Sequence, residues 1–143
     1  ASELLSEHGI SSEVWSVTSY GELRREGLEH ERSRRLNPEI SHEPYVSRCF
    51  GDETPTVATS DYICSVPEMI QRWIGGRYIV LGTDGFGRSD TREALRSFFE
   101  IDTNSIVVAA ISALEQAGTV PSGTVKKELE KRNLRKERID KTE

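Results

Sequence analysis

Cysteine, methionine and histidine are scarce here, at two, one and three among 143 residues. Cys49 and Cys64 alone make neither a disulfide framework nor a zinc quartet, and are expected as buried free thiols. His8, His30 and His42 are scattered over a helix end, a polar helix and a proline-rich loop, none with a ligand four residues on. That spacing predicts no metal site, and no cysteine sits beside a histidine or in an elbow motif for a nucleophilic triad. No run approaches the roughly 18 apolar residues of a membrane span, and the first ten residues lack the basic start and apolar core of a secretory signal. The expectation is a cytoplasmic chain that meets no membrane.

The remaining composition, 35% hydrophobic and 30% charged, suits one domain with a real core and excludes both wholesale disorder and a multidomain enzyme. The sole methionine is Met69, and residues 2–8 read as the last turns of a helix stopped by Gly9. An opening in mid-helix leads us to expect a piece excised from something longer. Residues 126–143 hold eight basic and five acidic residues, +3 against −8 for everything before them. Acids alternate with bases there and no aromatic is interleaved, so a solvated helix face laced with ion pairs is expected rather than a nucleic-acid site.

Residues 13–19 are rich in β-branched and aromatic residues, with Trp15 and Val17 on one face, and predict a strand. Ser19 and Glu22 have capping-box spacing and open a thinly apolar surface helix from Tyr20 to about Arg34. A short helix is expected over 45–50 and a strand over 56–59. A second capping box, Ser65 to Glu68 with Pro67 in the first turn, opens a helix whose buried face is Ile63, Val66, Ile70, Trp73 and Ile74. Gly75-Gly76 ends it, and residues 77–81 are a near-continuous apolar run of the kind buried on both sheet faces in a central parallel strand. Ala94, Leu95, Phe98 and Phe99 stripe the next helix, residues 104–117 form the clearest one with Gly118 as its stop, and Ser122 caps the last. Strand and helix alternate, so the fold class is α/β with a partly parallel sheet.

One loop is placed to carry chemistry. Gly82-Thr83-Asp84-Gly85-Phe86-Gly87-Arg88-Ser89 lies between a strong strand and a helix, the context of a phosphate-cradling loop. Arg88 stands where the P-loop lysine belongs, Asp84 and Asp90 bring negative charge, and Asp90 occupies the third glycine position of the dinucleotide fingerprint; nucleotide binding is therefore not expected. Two readings stay open. In one the glycines make a tight reversal, Asp90 caps the next helix, Phe86 packs down as an anchor and Arg88 and Arg92 pair with acids. In the other Arg88 and Arg92, beside a helix start, form a small-anion pocket or a subunit contact. Valine at position 85 or 87 is expected to destabilise wherever φ is positive.

The stretches Val14-Trp15-Ser16-Val17-Thr18-Ser19-Tyr20, Ala58-Thr59-Ser60-Asp61-Tyr62 and above all Leu81 to Arg92 resemble the C-terminal domain of homodimeric bacterial pyruvate dehydrogenase decarboxylase components. The wider family is that of transketolase-like thiamine diphosphate enzymes, whose third domain carries a related Asp-x-Phe-Gly-x-Ser loop, matched by Asp84, Phe86, Gly87 and Ser89. The resemblance implies a three-layer α/β/α domain, with a mixed five-stranded sheet and one antiparallel strand, over 1–122, followed by a charged helix and tail over 123–143. It also implies an N-terminal truncation that leaves a strand position to be filled.

In such a parent, thiamine diphosphate and magnesium decarboxylate pyruvate, and the acetyl unit passes to a lipoyl group on the acetyltransferase component. Those functions lie in other domains. The Gly-Asp-Gly start of the cofactor motif is missing here, and no catalytic, cofactor or metal residue carries over. The implied role is non-catalytic dimer stabilisation, with the rest of the parent chain and a second copy as partners. The interface loop would comprise Asp84, Gly85, Phe86, Gly87, Arg88, Ser89, Asp90 and Arg92. The alternatives are a regulatory module binding a small anion through the 82–92 loop, and a relative acting on another 2-oxo acid.

Overall fold

A computed structural model describes residues 1–132 and 134, so the part of the charged tail at 133 and 135–143 lies outside the described residues. The elements in order are α1 (Ser2–Ser6), α2 (Tyr20–Leu36), α3 (Tyr45–Phe50), β1 (Thr56–Thr59), α4 (Ser65–Glu68), a 3-10 turn (Gln71–Trp73), β2 (Tyr78–Leu81), α5 (Arg92–Phe98), α6 (Thr103–Gln116) and α7 (Thr124–Lys131). β1 and β2 pair in parallel, with Thr56 opposite Tyr78 and Thr59 opposite Leu81. Among the described residues the sheet has these two strands only, where the resemblance implies five.

Local signals were realised where the partner lies within a few residues. The Ser19 hydroxyl accepts from the Glu22 amide and caps α2, Asp102 accepts from the Ser105 amide at the start of α6, and Gly9 and Gly118 take left-handed φ angles of 71° and 74° after their helices. The apolar stripes separate into two clusters. Val46, Ile70 and Trp73 gather Leu23, Leu28, Phe50 and Tyr78 around them. Leu5, Val107 and Ile111 join α1 to α6, with Val125 of α7 alongside.

Several expectations are corrected. Residues 13–19 form no strand: strand geometry needs a ladder partner, and among the described residues none pairs with them. Val14 is left 83% exposed, and Trp15 rests edge-on against Phe50 at 5.1 Å. The helix after β1 breaks in two. Its Ser65 makes no side-chain cap, and the Tyr78 hydroxyl donates to the Pro67 carbonyl at 3.0 Å, which the Ile70 amide also reaches in a tight turn. Burial, and next the neighbouring Tyr20, pushes the Tyr78 phenol well above its ordinary range. Ile63 lies outside the buried face, and β2 is half-buried rather than enclosed on both sides.

The last helix is capped from a distance. Gly123, in left-handed conformation, stands where Ser122 was expected, and Glu115 on α6 takes the Gly123 amide on Oε1 at 3.0 Å and the Val125 amide on Oε2 at 2.8 Å. These bonds, Val125 first, hold the Glu115 carboxylate below the usual range. A depressed folded-state pKa means that this contribution is full above about pH 4.3 and lost as the pH falls through the lowered value. Hydrogen exchange should therefore show the Gly123 and Val125 amides losing protection on acidification, with Glu115→Ala unprotected at every pH; equal protection in wild type and variant would contradict the assignment.

α7 keeps Lys126, Lys127, Glu130 and Lys131 exposed, as its charges predict, but Glu128 departs from that solvated face. Glu128 is 4% exposed, its Oε2 accepting from Arg132 Nε at 2.9 Å and its Oε1 facing His8 Nε2 at 3.3 Å. The segment 92–116 is apolar enough on average to cross a membrane, yet it is two helices. Glu100, at φ 59°, separates them, and α6 packs on β1, α1 and α7.

Candidate functional site

The carboxyl ends of the two parallel strands place the loops after β1 and β2 side by side, the usual position for recognition in open α/β sheets. Four hydrogen bonds join them. The Ser60 amide donates to the Leu81 carbonyl at 3.0 Å and the Thr83 amide to the Tyr62 carbonyl at 2.9 Å. The Thr83 hydroxyl donates to the Asp61 carbonyl at 2.8 Å, and the Cys64 amide to Asp84 Oδ1 at 2.9 Å. Gly82 is required by this approach, because a Cβ there would stand 2.7 Å from the Tyr62 carbonyl oxygen. Asp84, an expected member of the loop, is thus its staple. The stretch ending at Tyr62 carried the family resemblance but was not expected as part of the site; that both strands are parallel and end together was the available signal.

Beyond Asp84 the chain turns outward. Gly85 takes φ 108°, and Phe86 is 71% exposed rather than packed down. The cation that was to pair with an acid instead covers a ring: the Arg88 guanidinium lies 4.4 Å over Phe98. Among the described residues neither Arg88 nor Arg92 is ion-paired. The cap also moves by one residue, since Thr91 Oγ1 accepts from the Ala94 amide at 3.2 Å while Asp90 accepts from the Thr91 amide at 2.7 Å. Arg92 is the first residue of α5, a helix of seven residues capped by Thr91.

Gly87, in contrast to Gly85, has no positive φ, and a Cβ there meets nothing within 4 Å. Gly85→Val should cost about 1–3 kcal/mol and Gly87→Val under about 0.5 kcal/mol. Equal denaturation midpoints for the two variants would refute the assigned loop geometry.

Beside the loops, the end of β1 meets α5 and the start of α6 in a cleft of about 590 Å³. Asp61, Glu93 and Asp102 line it against a single cation, Arg96. That balance is unsuited to a polyphosphate. Among the described residues no three histidine, cysteine or acidic side chains gather as a metal set. His30 and His42, expected apart, do meet: buried His30 donates from Nε2 to the His42 carbonyl at 2.6 Å, with the rings edge to face. Cys49 and Cys64, expected buried, are both half-buried.

The sequence profile of the transketolase-like TK C-terminal domain matches residues 1–102. The chain belongs to this family. The transketolase-like C-terminal domain described here is 46% identical over 120 residues to the pyruvate dehydrogenase E1 component of Pseudomonas aeruginosa, covering 82% of this chain. It is 43% identical over 122 residues to the Mycobacterium tuberculosis protein of the same name, covering 84%, and 39% identical over 143 residues to that of Escherichia coli, covering 98%. The domain spans 13–16% of the length of these relatives.

Proposed function

We propose that this chain is the non-catalytic, dimer-stabilising C-terminal domain of a pyruvate dehydrogenase decarboxylase component. The likeness to relatives of that name over 82–98% of the chain carries the reading. In the proposed parent, which acts in the cytoplasm, thiamine diphosphate, its diphosphate held through magnesium, would supply the electron sink for the decarboxylation of pyruvate. The remaining two-carbon unit passes as an acetyl group to the lipoyl disulfide of the acetyltransferase component, which is reduced as it is acylated. The residues described here do not fit that cofactor: the acids at the strand ends are met by one arginine, and no metal-ligating set gathers. No chemical step is placed on this chain.

What the chain contributes is contact surface, with the rest of the parent and a second copy as partners. The loop Asp84, Gly85, Phe86, Gly87, Arg88, Ser89, Asp90 and Arg92 is the proposed interface, supported by its stapled base and exposed tip. The five-stranded, three-layer arrangement belongs to the same proposal, and the β-prone residues 13–19, lacking a ladder partner, support it. The division at 122/123 is proposed as functional, since α7 packs on α6 across it. Sedimentation of the complete parent with and without this domain tests the role. At least about a tenfold weaker dimer is expected on removal, and an unchanged dissociation constant refutes it.

A further inference from the structure

Three large apolar side chains stand out to solvent on the two stapled loops: Tyr62 at 67%, Ile63 at 52% and Phe86 at 71% exposure. Single exposed hydrophobics are ordinary, but a group of them on a held backbone is the form a contact surface takes. The bonds of Thr83 to Asp61 and Tyr62, and of Asp84 to the Cys64 amide, fix the bases of both loops with polar groups alone. They leave the three apolar side chains half or more exposed. A surface that covers them therefore has little backbone ordering left to impose.

The size of the patch selects its occupant. The three exposed side chains offer on the order of 400 Å² on this side of a contact, short of the roughly 600 Å² that each partner gives to a stable interface between separate molecules. Tethering removes that requirement by making the contact intramolecular, at an effective concentration around millimolar. The relatives, of which this chain matches 13–16%, have most of their length outside it. We infer that Tyr62, Ile63 and Phe86 form one docking knob, seated in an apolar socket elsewhere in the same parent polypeptide rather than on a second copy. This rests on the parent-domain reading and adds Tyr62 and Ile63, outside the 84–92 loop, to the contact surface.

Hydroxyl-radical footprinting of the complete parent polypeptide, at concentrations where it is monomeric and where it is dimeric, tests the inference. The reference is Tyr45, 47% exposed on α3. Tyr62 should label about fivefold more slowly than Tyr45 in monomer and dimer alike, and Phe86→Asp should bring Tyr62 up to the rate of Tyr45. The wild-type comparison stands by itself if that variant fails to fold. Labelling of Tyr62 as fast as Tyr45 in both states overturns the inference. Protection confined to the dimer also overturns it, while leaving the dimer-stabilising role intact; protection in both states, with a dimer indifferent to removal of the domain, upholds the knob and removes that role.

Discussion

Glu128→Ala is expected to destabilise the fold by about 3–5 kcal/mol, read as a shift in the denaturation midpoint. Glu128 and Arg132 are both nearly enclosed, and Arg132 reaches Asn104 Oδ1 at 2.8 Å as well as Glu128. Removing the carboxylate leaves a buried guanidinium with one neutral acceptor, and takes from His8 the contact that ties the end of α1 to α7. The cost is that of an uncompensated buried charge rather than the worth of the pair, because burying two ions forfeits most of what their attraction returns. Replacing Glu128 and Arg132 together with leucine and methionine should accordingly recover much of the loss. Lys127→Ala, at an exposed position on the same helix, should change stability by less than about 0.5 kcal/mol.

Trp73→Ala should cost a comparable amount, about 3–5 kcal/mol. The indole is 7% exposed and fills the space between Val46 and Ile70. Its ring lies against α2 at Gly27, where a methyl group would come within 2.6 Å of it. Its Nε1 donates to Glu31 Oε1 at 2.9 Å, the same oxygen that Arg72 contacts at 3.2 Å. Truncation empties the centre of this cluster and breaks the one bond that fixes the ring's orientation. Trp73→Phe, which keeps most of the volume and loses the N–H donor, should fall in between. Far-ultraviolet circular dichroism is the appropriate readout, since Trp15 remains and is half exposed. Equal midpoints for wild type and Trp73→Ala would contradict the packing described.

What could be read from the sequence follows from how far apart the interacting groups lie. The Ser19 cap, the α6 stripe and the Gly118 stop each depend on partners within one or two turns, so spacing was enough. β1 and β2 were legible from composition, and their parallel pairing from the helix between them. The strand expected over 13–19 failed because β-propensity reflects packing against a neighbour, and among the described residues none is there. The helix after β1 breaks through the Tyr78 bond to Pro67, which spans 11 residues, and Glu128 of α7 is buried against His8, from the other end of the chain.

The candidate site divides in the same way. The glycine loop and its place after β2 were legible, as was Asp84 as a member of it. Its staple to the Cys64 amide, 20 residues earlier, was not. The outward turn of Phe86 was missed because a buried aromatic and a presented one have the same local sequence. The shift of the cap from Asp90 to Thr91 is a difference between two equally competent oxygens, and the backbone at Thr91, φ −62° and ψ 153°, decided it.

The central claim is that these residues supply contact surface while the bond-breaking belongs to other parts of a larger protein. It is tested most directly by assaying the purified chain for carbon dioxide release from pyruvate with saturating thiamine diphosphate and magnesium, alongside titration calorimetry of the cofactor. The account predicts no turnover above the cofactor-only blank and no binding heat. Sustained decarboxylation, or saturable cofactor binding in the micromolar range, would contradict it.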